Sequence, residues 1–473
     1  MVIQLPVDTS VSGPPLSETE AEKLIGAICF KTGPPGTIGA ELEWLVYDIA
    51  DPSLQVPFDR IRDVLSRLQR PAALPGAGLL TLEPGGQVEL STAPARGLSD
   101  CITAASADMI ILREAFGAAG LALAGRGLDP HRSPSRLLDQ PRYTAMEEYF
   151  DRRGPWGRLM MCSTASVQVC VDAGLDGGGV AGYPFRWRLL HALGPILVAA
   201  FANSPLHLGR PSGWKCTRQL IWSRLDPCRT RAPAGAEPLP LSAQPTASAG
   251  RLPTNGAVDP RSDWVRYALD AEVLCQRQAD GQPWTVPAGL TFRDWLRGAG
   301  QRRPTADDLS YHLSTLFPPV RARGHLELRM IDAQPGDDWI VPVAVVAALT
   351  DDPLAADAAM AAAEPIWQPR VPSPRRAGAT ISAGAAAAAS GAGPPTAAGS
   401  RQSAEVSPWL RAARLGPADP AISRAVRECF HAADAALARS GAPSEIRDRV
   451  AGFAERYAQR GRCPADDMLE GLT

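Results

Sequence analysis

Five glutamates stand in segments that otherwise read as apolar strands. Glu41 and Glu43 lie in "GAELEW", Glu83 and Glu89 in "LEPGGQVEL", and Glu327 in "HLELRM" beside Arg329. Side chains alternate across a strand, so residues two apart share a face. Glu41 and Glu43 therefore point one way, and Ala40, Leu42, Trp44 and Val46 the other. The same count puts His325, Glu327 and Arg329 opposite Leu326, Leu328 and Met330. A solvated polar face explains any one such strand. If these segments share one sheet, however, the carboxylates converge. Two of them about 4 Å apart repel by roughly 4 kcal/mol at an effective dielectric near 20, unless some protonate or a cation joins them. Hard oxygen donors without paired His or Cys suit Mg²⁺ or Mn²⁺, and Mg²⁺ commonly bridges carboxylates to nucleotide phosphates. Arg323 and Arg329 would meet those phosphates. The pattern points to a nucleotide-using enzyme without a P-loop, because the nearest Gly/Lys stretch, "GRPSGWKC", lacks the GK[ST] ending.

The elements that must position these groups alternate along the chain. Strands are predicted over 37–47, 79–83, 87–91, 164–172 and 325–331. Helices are predicted over 16–29, 59–69, 100–119 and 186–203, the last to be kinked or divided at Pro195. Ser17 and Glu20 make a capping box for the first helix. Pro84-Gly85-Gly86 turns a hairpin that sets Glu83 opposite Gln87 and Glu89 opposite Thr81. In "STASVQVCVD", Ser166, Gln168 and Cys170 share the polar face. Such an order suits an α+β domain with helices packed on one face of a mainly antiparallel sheet.

Composition narrows the function classes. The 48 basic and 50 acidic residues leave a net charge of −2, which gives no electrostatic reason to expect nucleic acid or an anionic membrane as partner. Lys occurs only at 23, 31 and 215. The N-terminus has no signal-peptide pattern, and no apolar run is long enough to span a bilayer. Nine cysteines without CxxC spacing point to reduced thiols and a cytoplasmic protein. Two stretches, 230–260 and 368–405, are too poor in large apolar side chains to offset their ordering entropy and read as mobile loops. They leave a catalytic domain over 16–367 and a helical C-terminal part over 406–473 expected to pack on it; within that part "WLRAARLG" reads most simply as a surface helix, with packing back on the core as the alternative.

Together, "GAELEW", "LEPGGQVELST", "FANSP", "TRQLIWSRLDPCRT", "HLSTLFPPVRARGHLELRMIDAQPG" and "RGRCPADD" resemble the plant-type glutamate–cysteine ligase family. Within it the chain is most similar to the bacterial enzymes that make γ-glutamylcysteine for ergothioneine synthesis. The resemblance runs from about residue 20 to the C-terminus, broken at the two low-complexity stretches. It implies a glutamine-synthetase-like fold whose curved antiparallel sheet forms a funnel. It also implies ATP-dependent joining of the γ-carboxylate of L-glutamate to the amine of L-cysteine. The family's metal-binding carboxylates match Glu41, Glu43, Glu83, Glu89 and Glu327, its phosphate-contacting arginine Arg329, and its substrate-carboxylate arginine Arg218, with Arg229 carried over beside it. Gln168 stands where some distant relatives carry a His ligand, as an amide that can ligate a hard cation or orient a phosphate. Thr164 and Ser166 are candidate glutamate contacts, and Tyr149 a candidate for the cysteine pocket. Two other readings stay open: a carboxylate–amine ligase with a different acceptor, or a non-catalytic glutamate or nucleotide sensor. Relief of like-charge repulsion leads us to expect that Glu327→Gln abolishes turnover and leaves folding nearly intact.

Overall fold

The longest strand, Thr37–Asp48 (β1), organises the chain. Ala40, Leu42, Trp44 and Val46 are buried on one face, while Glu41 and Glu43 are only partly covered on the other. In a computed structural model, which describes residues 13–68, 70, 73–238, 259–278, 282–300, 302–368 and 407–472, this strand lies inside an antiparallel sheet. The other strands are Leu79–Leu82 (β2), Val88–Ser91 (β3), Ala95–Arg96 (β4), Leu121–Ala124 (β5), Ser166–Asp172 (β6), Val320–Ala322 (β9) and His325–Asp332 (β10). A separate two-residue hairpin pairs Leu206–His207 (β7) with Arg210–Pro211 (β8). The sheet order is β2-β3-β1-β6-β10-β9, with β4 and β5 also pairing along β1. Among the described residues its two edges do not meet, so the sheet is open. The chain is thus α+β, as the alternation of elements predicts.

The apolar face carries Leu80, Leu82, Val88, Leu90, Val167, Val169, Leu326 and Leu328, all buried. Helices Leu98–Ala118, Tyr183–Ala200 and Ile340–Asp351 pack on the sheet. The first helix, Glu18–Cys29, begins with the expected capping box at Ser17 and Glu20. The helix predicted over 186–203 spans Tyr183–Ala200 and runs through Pro195 unbroken. Its residues from Leu189 to Ala200 are buried without exception, and this packing outweighs the ~3 kcal/mol that an interior proline costs. The strand predicted from 164 begins at Ser166, because helix Trp156–Ser163 runs up to it with Thr164 as its extended C-cap.

The C-terminal helices join the same core. Pro420–Arg439 packs on Ile340–Asp351 and on Pro353–Trp367. "WLRAARLG" lies in the helix Pro408–Leu415 with Trp409, Ala412 and Ala413 buried, so of the two readings it follows packing on the core rather than a free surface helix. That helix props the segment carrying Arg218: the Lys215 and Cys216 N–H groups both donate to Ala413 O at 2.9 Å. Most of the expected loop over 230–260, and all of 369–405, fall outside the described residues. Among the described residues no helix is long and apolar enough to cross a membrane.

Candidate functional site

The polar face of the sheet forms the floor of a half-open cleft enclosing about 1040 Å³, mouth included. Glu41 and Glu43 rise from β1, Glu89 from β3, Ser166 and Gln168 from β6, and Arg329 from β10. Glu83 comes from the β2–β3 turn, where the predicted register holds: Thr81 pairs with Glu89, and Glu83 N–H donates to Gln87 O. The turn requires its glycines. A Cβ on Gly85 would lie 2.2 Å from Cys162 O, and Gly86 has φ +86. The opposite wall is helical, from Pro141–Asp151 (Arg142, Tyr143, Met146), Trp156–Ser163 (Met160, Met161) and Thr217–Ser223 (Arg218, Trp222).

The register places like charges face to face. Glu43 and Glu89 are direct antiparallel partners on β1 and β3, an arrangement that destabilises a sheet by itself. Local donors moderate it. Glu43 accepts from Ser166 N at 2.8 Å and from Gln168 Nε2 at 2.9 Å. Glu89 accepts from Thr81 Oγ1 at 2.8 Å and Ser91 Oγ at 3.1 Å. The remaining cost appears as proton affinity. Burial, then the charges of Glu327 and Glu89, push Glu41 up to about 7. Burial, then Glu89 and Glu43, push Glu83 up to about 8. Burial also raises Glu43 and Glu89. These four carboxylates are hard donors in want of positive charge, which suits a divalent hard cation. Among the described residues, no three His, Cys, Asp or Glu side chains are gathered closely enough to make a ready-formed metal site.

Glu327 is set apart from the other four. It is fully buried on β10, off the cleft wall, and both its oxygens are taken. Arg321 Nε and Nη2 grip it at 2.7 and 2.8 Å, and Arg329 Nη1 donates to Oε1 at 2.6 Å. Although burial alone would raise it, the Arg321 and Arg329 guanidiniums hold its carboxyl at about 2. Arg329 also donates to Gln168 Oε1. A hydrogen-bonded chain, Arg321–Glu327–Arg329–Gln168–Glu43, therefore runs under and along the floor, with the neutral Gln168 amide relaying between Arg329 and Glu43.

A β-bulge interrupts the expected alternation beyond Leu328. Leu328 pairs with Val169, but Ile331 pairs with Val167. The extra residue turns Met330 out of the strict apolar row, so that it lines a niche beside Arg218 and Arg329. At the bulge the Arg329 carbonyl accepts from Arg218 Nη2 at 2.8 Å. Arg218 Nε and Nη1 are buried without a hydrogen-bond partner, with Asp332 Oδ1 4.0 Å from Nη1. Asp332 in turn is held by Asn203 N, Ser204 Oγ and Cys216 Sγ. "FANSP" thus acts as scaffolding behind Arg218.

Of the residues singled out in the sequence, Glu41, Glu43, Glu83, Glu89, Thr164, Ser166, Gln168, Arg218, Arg323 and Arg329 line the cleft. Tyr149 and Arg229 are not brought to it. Arg229 spends its donors on Asp226 Oδ2, Thr315 O and Glu272 O, and its guanidinium lies 4.7 Å from the Tyr149 ring centre. Tyr149 Oη donates to Asp226 and Glu272. Sequence reasoning missed Arg321, which a count outward from the turn at Gly324 would have set opposite Glu327. It also missed Arg142, a charge on the same helical stripe as buried Met146 and Tyr149.

The sequence comparisons with known proteins agree in kind. The model of glutamate-cysteine ligase family 2 matches residues 37–376. The chain is 36% identical over 456 residues to glutamate–cysteine ligase EgtA of Mycobacterium tuberculosis, covering 95% of this chain and 89% of that one. It is 35% identical over 464 residues to EgtA of Mycolicibacterium smegmatis, covering 96% and 92%. Chloroplastic glutamate–cysteine ligase B of Oryza sativa subsp. japonica is 29% identical over 317 residues, covering 63% and 59%. Among solved structures, a Francisella tularensis glutamate–cysteine ligase in complex with AMP superposes with a TM-score of 0.45 at 10% identity, covering 93% and 85%.

Proposed function

Since the chain belongs to glutamate-cysteine ligase family 2, we propose that it joins the γ-carboxylate of L-glutamate to the amine of L-cysteine, consuming ATP and releasing γ-glutamylcysteine for ergothioneine synthesis. The observation that carries this reading is one cleft holding four partly neutralised glutamates together with Arg218 and Arg329. A glutamine-synthetase-like funnel built by the open sheet is part of the same proposal. So is a cytoplasmic setting, where ATP and reduced cysteine occur together.

A carboxylate is a poor electrophile, so its oxygen must first become a leaving group. Transfer of the γ-phosphoryl group of ATP to the γ-carboxylate gives a γ-glutamyl phosphate. The neutral amine of cysteine then attacks the acyl carbon, phosphate departs, and the amine proton passes to a base. The chain's part is positioning and charge balance. Arg218 lines the cleft with a guanidinium that the protein leaves partly unsatisfied, and offers it to the α-carboxylate of glutamate. Thr164 and Ser166 lie on the same cleft for its polar contacts. Arg329, held from behind by Glu327 and from the side by Gln168, faces the phosphoryl group in transfer. Arg323 lines the same wall for the phosphates. Glu41, Glu43, Glu83 and Glu89 would hold Mg²⁺, or Mn²⁺, which supplies charge neutralisation to the phosphates of ATP. Glu327 enters that set only by giving up a guanidinium.

The direct test is mass spectrometry of products from purified enzyme, ATP, Mg²⁺, glutamate and a mixed amino-acid pool. A γ-glutamylcysteine mass with matching ADP and phosphate is expected. A γ-glutamyl product of another amine would redirect the acceptor, and ATP binding without any product would favour a sensor.

The carboxylates add a pH prediction. With folded values near 7 and 8 against an ordinary 4.5, the metal-free Glu41 and Glu83 bind protons that the unfolded chain does not. Metal-free stability therefore falls as pH rises from about 4.5 to about 8. A cation that binds the ionised forms should restore it, so the Mg²⁺-induced rise in Tm should grow from pH 5.5 to pH 8.5 in thermal scans with and without chelator. A rise independent of pH would count against these carboxylates as the metal site.

A further inference from the structure

We propose that Arg142 is the anchor for the carboxylate of the acceptor amino acid, and so sets the enzyme's preference for an α-amino acid over a simple amine. This rests on the ligase reading above and names the second substrate's end of the same cleft. Arg142 sits in the first turn of helix Pro141–Asp151 and lines the cleft. Among the described residues it has neither an ion-pair partner nor a hydrogen-bond acceptor, and its Nε is buried and unsatisfied. Its guanidinium lies 5.4 Å from the Tyr311 ring centre, within cation–π range. Its carboxylate neighbour, Glu83, makes no ion pair with it and is itself pushed toward its neutral form, and a half-buried guanidinium so placed is costly to keep unless a ligand brings an anion.

Three arginines thus reach this cleft with an unsatisfied guanidinium nitrogen; Arg329 is tied to Glu327 and Gln168, which leaves Arg142 and Arg218 without a carboxylate in hydrogen-bond contact. Arg218 lowers Glu43 and Asp332, and Arg142 lowers Glu83. The reaction brings two α-carboxylates into the site, and these two arginines give each its own guanidinium. The surroundings of Arg142 suit the rest of the acceptor. Met146 follows one turn later on the same helical face, and Met160 and Met161 line the cleft from the next helix. Thioethers are soft and polarizable, a wall fit for a short thiol side chain.

Cysteamine, which is cysteine without its carboxylate, separates this role from a structural one. In the intact enzyme, kcat/KM for cysteine should exceed that for cysteamine by about 100-fold, the scale of hydrogen bonding to a charged group. Arg142→Gln should lower kcat/KM for cysteine by a similar factor, carried mainly by KM, and leave cysteamine within about threefold. The KM values for glutamate and ATP should hardly move. Arg142→Lys, which keeps the charge without the fork, should fall between, and it carries the same comparison if the Gln variant folds poorly. Equal losses with both acceptors, or an unchanged cysteine KM, would overturn the proposal. Absence of acceptor-dependent phosphate release in the unmutated enzyme would instead overturn the ligase reading itself.

Discussion

Replacing Glu327 by Gln is expected to lower turnover by about 10³-fold, and also to destabilise the fold by roughly 3 kcal/mol. The second effect reverses what the sequence suggests. Read as one carboxylate among five, Glu327 is a source of repulsion whose neutralisation should be harmless. In the structure it is the counter-charge to two arginines, fully buried, with Arg321 on both oxygens and Arg329 on one. Its removal strands two guanidiniums in a site nearly closed to water, and breaking a buried pair from one side is what makes such pairs expensive to mutate. Turnover falls because Arg329 loses the support that aims it at the moving phosphoryl group. The pH dependence has a definite sign. A carboxyl held near 2 in the fold, against 4.5 normally, contributes stability that is complete above about pH 5 and fades as pH drops toward 2. Urea denaturation should therefore show a clear gap between the two proteins at pH 7 that narrows below about pH 4. Equal stability at pH 7 with near-normal turnover would remove Glu327 from the machinery.

That reversal marks where sequence reasoning stops. Period-two alternation was enough to put Glu41, Glu43, Glu83 and Glu89 on one face, because each strand is amphipathic by itself and the Pro84-Gly85-Gly86 turn fixes its own register. Whether Glu43 meets Glu89, or Glu41 meets Gln168, depends on strand order. Pairing of β1 with β6 joins residues more than 120 positions apart, and no local pattern reports it. The bulge after Leu328 is a product of packing, and it decides that Arg329 O faces Arg218. Motif positions also misled where a conspicuous arginine proved to be internal. Arg229 follows Arg218 by eleven residues, but its donors close a buried knot with Asp226, Thr315 and Glu272. Arg142 carried no motif that drew attention to it, and its lack of partners shows only when its neighbours are in place.

The same geometry makes Arg218 hard to replace. Arg218→Lys should raise the KM for glutamate by about 30-fold or more, with the KM for ATP nearly unchanged. The guanidinium does two jobs at once. Nη2 donates to the Arg329 carbonyl at the bulge, while Nε and Nη1 find no hydrogen-bond partner within the protein, Asp332 being 4.0 Å away and already held by three other groups. An ammonium is a single point of charge on a longer, freer stem. It can stay with the Arg329 carbonyl or turn to a substrate carboxylate, and in either case one of the two contacts is lost. If it keeps the carbonyl, kcat is largely spared and the loss falls on glutamate binding. If it leaves, the β10 bulge loosens and kcat falls as well. Steady-state kinetics with glutamate varied at saturating cysteine and ATP distinguishes these cases, and an unchanged glutamate KM would show that the guanidinium is not used for that substrate.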